Sequence, residues 1–193
     1  MLKMREYSPL VGVELRTMWD AARITDAARF VSPVARIKSM MGAYAKVEAA
    51  CGVPWWFVAV VHIREADGDF RAHLHNGDSL RARTVHVPAG RPKSGKPPFA
   101  WHESAIDALT MPGKHLDRIS DWNIGRALWE LERYNGLGYR LYHNTVPSPY
   151  LWAGTHFYVA GKYVADGKWS ATARDKQPGC AGLLKVLAPR DLA

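Results

Sequence analysis

The chain has 193 residues, a length that fits one domain, and with 48% hydrophobic and 11% aromatic residues it can build a sizeable core, which excludes disorder. Lys and Arg number 26 against 18 Asp and Glu, a formal net charge of +8. That balance favours a polyanionic partner (nucleic acid, an anionic membrane surface or an acidic cell envelope) without choosing among them.

In chain order, apolar positions at helical spacing (Val13, Met18, Ala21, Ala22, Ile24) predict a helix from Pro9 to Phe30. Ser32-Pro33 reads as the cap and first turn of a second helix running through Ala50, stopped by Cys51-Gly52. Pro54 opens a third, VPWWFVAVVHIRE, apolar nearly all round and therefore expected to be the buried central helix. It ends at Glu65, and Asp67-Gly68-Asp69 reads as a turn. Asn76-Gly77 is a turn signal, Thr84-Val85-His86-Val87 alternates like a short strand, and PAGRPKSGKPPF is a loop. A short helix is expected from His102 to Met111. A longer one, capped by Ser120 or Asp121, should reach about Tyr134 and end at Asn135-Gly136-Leu137-Gly138. The last third is richer in Gly and aromatics and is expected to pack back on the core. The fold class read from this is mainly α (α+β), in one domain over 1–193.

The N-terminus carries no continuous apolar run of the signal-peptide kind, and the longest apolar stretch, Val53 to Val61, is too short for a membrane span. A chain made soluble in the cytoplasm is the expectation. Cys51 and Cys180 stand far apart in sequence, outside any CxxC pattern, which leaves thiols or one disulfide open.

Glu65 is the first chemical candidate. A carboxyl at the end of an apolar helix is partly desolvated, which raises its pKa and keeps a proton ready for a glycosidic oxygen. A surface Glu paired with Arg64 or His62 is the plainer reading. Asp67, Asp69 and Asp78 are the candidates for a second carboxylate; Asp67 and Asp69 also suit turns, and Asp78 suits a turn cap. The carboxyl separation would be roughly 6.5–9.5 Å for inversion and about 5–5.5 Å for retention. Thr84 is a candidate for holding a water, or simply a good strand former. His62 and Glu65 form only half of a di-metal pattern, and His73, His75 and His86 lack a metal signature, so no metal is expected. The basic segment Arg81 to Lys96 can track phosphates, but no nucleic-acid fold signature accompanies it, and a solvated loop is preferred. Eight Trp, eight Tyr and five Phe exceed a minimal core and suit a sugar-binding cleft.

The run HIREADGDF resembles the end of the catalytic helix in the lysozyme-like superfamily. The step from Glu65 to Asp78 resembles that from the catalytic Glu to the first active-site Asp of goose-type lysozymes, and Asp78 with Thr84 resembles the hairpin Asp and Thr of phage-type lysozymes. ERYNGLGY resembles the Tyr-Asn motif of goose-type lysozymes and soluble lytic transglycosylases. The blocks GVPWWFVAVVHIREADGDF, HLHNGDSLRARTVHVPAGRP, ERYNGLGY and SPYLWAGTHFYVAGKYVADG, over about residues 50–170, look like phage and prophage endolysin-type lysozymes of proteobacteria. Residues 1–45 carry no matching motif. The Gly-rich, Gln-bearing motif of lytic transglycosylases is replaced by the PAGRPKSGKPP loop, which leaves hydrolysis and formation of a 1,6-anhydro end both open.

The resemblance implies a lysozyme-like fold with a small β-hairpin beside the cleft, and a peptidoglycan-degrading glycosidase that cleaves the β-1,4 bond between N-acetylmuramic acid and N-acetylglucosamine. Glu65 would be the acid, Asp78 the partner carboxylate and Thr84 a water-positioning residue. Tyr134 and Asn135 would shape the sugar site, with Trp122, Tyr150 and Trp152 as stacking faces. Peptidoglycan glycan strands would be the partner, with transient contact to an anionic envelope. No cofactor and no nucleic acid are expected, and a monomer would act on the periplasmic wall after release. A wall-binding or phage structural module without activity is the alternative.

Overall fold

The computed structural model describes residues 6–165, 167–190 and 192. It is mainly helical: α1 (Pro9–Ala21), α2 (Ala28–Ser39), α3 (Met41–Cys51), α4 (Trp55–Ala66), α5 (Trp101–Thr110), a 3-10 turn (Leu116–Arg118), α6 (Ile124–Asn135), α7 (Gly138–Tyr142), α8 (Pro149–Trp152) and α9 (Cys180–Leu187). The described residues hold one two-stranded antiparallel sheet, β1 (Lys162–Ala165) with β2 (Lys168–Ser170), in register Tyr163 to Trp169. Among them no single helix is long and apolar enough to cross a membrane. Two compact units emerge: residues 1–32 with 122–193, and residues 33–121.

In the first unit, Ser8 caps α1 by accepting from the Val11 N–H (3.3 Å) ahead of Pro9, and α1 packs on α6. The crossing is set by glycines: a Cβ on Gly125 would lie 2.4 Å from the Gly12 carbonyl oxygen. Leu128, Trp129 and Leu131 fill the core side of α6, and α8 packs on both α6 and α9. Buried Glu130 is neutralised along its own helix by Arg126 (2.8 Å) and Arg133 (2.7 Å). The expected helix from Pro9 to Phe30 is broken after Ala21. Ile24 bridges Thr155, and the N–H groups of Thr25 and Asp26 both donate to the Gly154 carbonyl, so this backbone bonds to a distant segment instead of to itself. The chain resumes as α2 before Pro33, not after Ser32, because Phe30 is seated against Gly154 and Gly182 and starts the helix early.

In the second unit α3 and α4 meet at a bend of 116°. Gly52, at φ +73°, ends α3, and Pro54 begins α4 as expected. Every residue of α4 from Trp56 to Arg64 is buried, which is why the helix is apolar on all sides. The expected helix from Ser32 to Ala50 is two helices, broken at Met40. α5 occupies the expected stretch and packs on α3. The cap of α6 is Asn123, whose side chain accepts from the Arg126 N–H (3.0 Å), rather than Ser120 or Asp121. Cys51 is half-buried and Cys180 buried, both as thiols, and burial pushes the Cys51 thiol up.

Candidate functional site

The second unit carries Glu65 in the last turn of α4, half-buried. The turn beyond it is tightly made. Asp67 takes φ +50°, and its N–H and that of Gly68 return to the Ile63 and His62 carbonyls. Arg36 of α2 donates to the Asp67 carbonyl and pairs with its carboxylate at 3.4 Å. His62, fully buried three residues before Glu65, braces the same turn. Its Nε2 stands 3.2 Å from the Asp69 carbonyl and its Nδ1 3.1 Å from the Tyr44 hydroxyl. A carbonyl only accepts, so the proton belongs on Nε2 and Tyr44 donates to Nδ1. Burial lowers the His62 pKa to about 4, so it is a neutral brace at pH 7. Phe70 and Trp101 close around it, with centroids at 4.7 Å each.

Residues 71–80 fold back under α4. Ala72 bridges Ser79, the His73 N–H donates to the Asp78 carbonyl (2.6 Å), and Gly77 holds φ +81°. A Cβ at Gly77 would stand 2.9 Å from the Glu65 carbonyl oxygen. The turn that presents Asp78 therefore presses on the backbone of Glu65.

The Asp78 carboxylate is heavily engaged. Oδ2 accepts from the backbone N–H groups of Val85 (2.8 Å) and His86 (3.0 Å) and from Asn76 Nδ2 (3.1 Å), and Oδ1 lies 2.6 Å from His86 Nδ1. Burial raises its pKa, but the His86 and Val85 donors outweigh that and bring it to about 2. A carboxylate so stabilised is a weak base, and its chemical use is as a fixed negative charge. These bonds explain why Thr84–Val87 is not the expected strand: the Val85 and His86 N–H groups are taken by Asp78, and that of Thr84 goes to the Arg91 carbonyl (2.8 Å). The only strands of the described residues lie at 162–170, away in sequence from the expected hairpin.

Thr84 is buried, and its hydroxyl donates to the Pro88 carbonyl and accepts from the Arg91 N–H (2.9 Å). It is the hub of the 84–91 loop instead of a hydroxyl offered to water. Asp69 accepts from the Arg71 guanidinium (2.9 Å) and backbone N–H (2.9 Å), and these bonds bring its pKa down to about 2; Asp67 is the exposed partner of Arg36. Both are turn formers.

Sequence reasoning missed the anchors of this loop. Arg91 forks onto Asp107 of α5 (Nε 2.9 Å, Nη2 2.5 Å), which also meets His75 Nε2 at 2.8 Å. His73 Nδ1 stands 2.6 Å from Ser104 Oγ. Arg83 donates to the Gly95 carbonyl and lies over Phe99. Two arginines of the basic segment are thus spent inside the loop, leaving Arg81, Lys93 and Lys96 outward. No spacing rule pairs Arg91 with Asp107, 16 positions further on.

In the first unit, Tyr134 is buried on α6, Asn135 is its exposed last residue, and Trp122 is half-buried. Tyr150 and Trp152, expected as stacking faces, are core side chains of α8 at 3% and 2% exposure, too enclosed to lie flat on a sugar. Trp152 does border a cavity of this unit. Among the described residues no group of three or more His, Cys, Asp or Glu is placed to hold a metal ion. Comparison with protein-family models, curated proteins and solved structures returned no match.

Proposed function

We propose that the chain is a peptidoglycan-degrading glycosidase of lysozyme-like fold, cleaving the β-1,4 bond between N-acetylmuramic acid and N-acetylglucosamine, with Glu65 as the acid. The observation that carries this reading is the packing of the Gly77 turn on Glu65: a half-buried carboxyl ends the buried helix, and the residue after Gly77 is an ionised carboxylate. Glu65 protonates the leaving oxygen as the glycosidic bond breaks, and the Asp78 charge favours the oxocarbenium-like transition state. Tyr134, Asn135 and Trp122 enter as substrate contacts through the sequence resemblance alone. The +8 charge draws the protein to an anionic envelope, an attraction that weakens with salt.

The engagement of Asp78 favours a second reading, a lytic transglycosylase. There the 6-hydroxyl of the same muramic residue attacks its own C1, and Glu65, having given its proton to the leaving oxygen, takes one back from that hydroxyl. No water-activating carboxylate is needed. Purified peptidoglycan with the wild-type chain and Glu65→Gln tests both. Release of fragments by the wild type, lost in the variant by a factor of about 10²–10⁴, is expected. Reducing ends in the mass spectrum mean hydrolysis and 1,6-anhydro ends mean transglycosylation. Binding without release by the wild type would leave a wall-binding module and sink the enzyme reading.

A further inference from the structure

Residues 79–100 of the second unit carry five Arg and Lys and no Asp or Glu. Arg83 and Arg91 are bound within the unit, to the Gly95 carbonyl (2.9 Å) and to Asp107. Arg81, Lys93 and Lys96 are exposed. The two lysines lie beside a closed loop. Its ends meet where the Thr84 N–H donates to the Arg91 carbonyl (2.8 Å), and a Cβ on Gly90 would stand 3.4 Å from Lys93 Nζ. Lys96 follows Gly95, whose carbonyl holds Arg83. The two carboxylates bonded to the loop, Asp78 and Asp107, are largely buried, at 13% and 19% side-chain exposure, so its exposed charge is cationic.

Val85 and Val87 stand on this loop, 73% and 88% exposed. A single exposed valine is ordinary. Two on one short loop, with cations before and after them, match a surface that enters a lipid interface: apolar side chains go in, and basic ones stay with the headgroup phosphates. The backbone meets the other requirement, that polar groups carried toward hydrocarbon are already bonded. The Val85 and His86 N–H groups donate to Asp78, that of Gly90 to the Thr84 carbonyl (2.7 Å) and that of Arg91 to Thr84 Oγ1 (2.9 Å). The His86 carbonyl accepts from Asn76 Nδ2 (3.0 Å). These bonds also fix the loop before it meets a partner, so docking has little left to order.

We propose that the 84–91 loop docks on an anionic phospholipid bilayer, with Val85 and Val87 at the boundary of headgroups and acyl chains and Arg81, Lys93 and Lys96 on the phosphates. A second copy of the chain fits poorly, because two such loops repel and two valines a side fall far short of a stable interface. A nucleic-acid strand would use the cations but leave the valines in water. Phe99, the only Phe, Tyr or Trp of residues 79–100, is buried and closed to base stacking. Docking needs neither Glu65 nor cleavage of peptidoglycan.

Sedimentation of the full chain with vesicles tests this, using phosphatidylglycerol mixed with phosphatidylcholine against phosphatidylcholine alone, beside a gel shift with duplex DNA. Saturable binding to the mixed vesicles is expected, at least about tenfold tighter than to phosphatidylcholine and weakened by added salt. Val85→Ser with Val87→Ser should weaken binding to the mixed vesicles about tenfold at unchanged charge. Lys93→Gln with Lys96→Gln should weaken it by about tenfold or more. All four side chains are exposed, so both double variants should keep the wild-type Tm. No binding to the mixed vesicles at low salt, equal binding to the neutral ones, or undiminished binding in either double variant overturns the proposal. A DNA shift without vesicle binding also overturns it and makes the loop a phosphate-backbone contact.

Discussion

Gly77 and Glu65 meet through their backbones, with the place of a Gly77 Cβ 2.9 Å from the Glu65 carbonyl oxygen and Gly77 at φ +81°. The contact ties the end of the buried helix to the turn that carries Asp78. It brings the backbone of the residue before Asp78 against the backbone of Glu65.

Gly77→Ala places a methyl against that carbonyl and forces an L-residue into the left-handed region. A stability loss of about 1–3 kcal/mol is expected in urea unfolding. Fragment release from peptidoglycan should fall further than stability explains, because Glu65 shifts with its backbone. An unchanged urea midpoint would show that the turn does not press on α4.

Asp78→Asn removes the charge that gathers the Val85 and His86 donors. Its folded pKa, about 2, lies below the ordinary 3.8, so its stabilisation is complete above about pH 4 and is lost as the pH falls through about 2. Asp69 shifts in the same direction and shares that window. The variant should be about 1–3 kcal/mol less stable at pH 7 and lose less between pH 4 and pH 2. In peptidoglycan cleavage, a fall in kcat of about a hundredfold would support the transition-state charge. A near-normal kcat in folded protein would reduce Asp78 to a clasp of the loop.

His62 titrates with the opposite chemistry and the same sign. Its folded pKa, about 4, lies below 6.5, so the folded state resists a proton that the unfolded state accepts. Stability from this group is complete above about pH 6.5 and is lost as the pH falls through about 4. Burial lowers His75 as well, which adds to the same slope. His62→Gln, which keeps a donor and an acceptor, should flatten the decline between pH 6.5 and pH 4. An identical slope in the variant would remove His62 from this account.

Gly125→Ala is a case where helix propensity and packing disagree. Inside an exposed helix the change would gain about 1 kcal/mol. Here the new methyl would sit 2.4 Å from the Gly12 carbonyl oxygen, backbone that has no rotamer to yield. A loss of about 2 kcal/mol or more is expected, read as a lower Tm. A stabilised variant would mean that α1 and α6 can separate without cost.

Much of the second unit was legible because its signals are local. Gly52, Pro54 and the Asp67-Gly68 turn bound α4, and its all-round apolar face required burial. The charge and the short apolar runs likewise follow from the sequence alone. Tertiary structure decided what depends on bonds between distant residues. The Pro9–Phe30 helix broke because the Thr25 and Asp26 N–H groups go to Gly154. Thr84–Val87 was not a strand because the Val85 and His86 donors went to Asp78 and the Thr84 donor to Arg91. Tyr150 and Trp152 read as sugar-facing aromatics until α8 placed them in the core. The pairing of Arg140 with Glu14 and Glu132 left no trace in residue spacing. Periodicity and turn chemistry report where a chain bends and which face is apolar; which donor meets which acceptor is fixed only when separate segments close on each other.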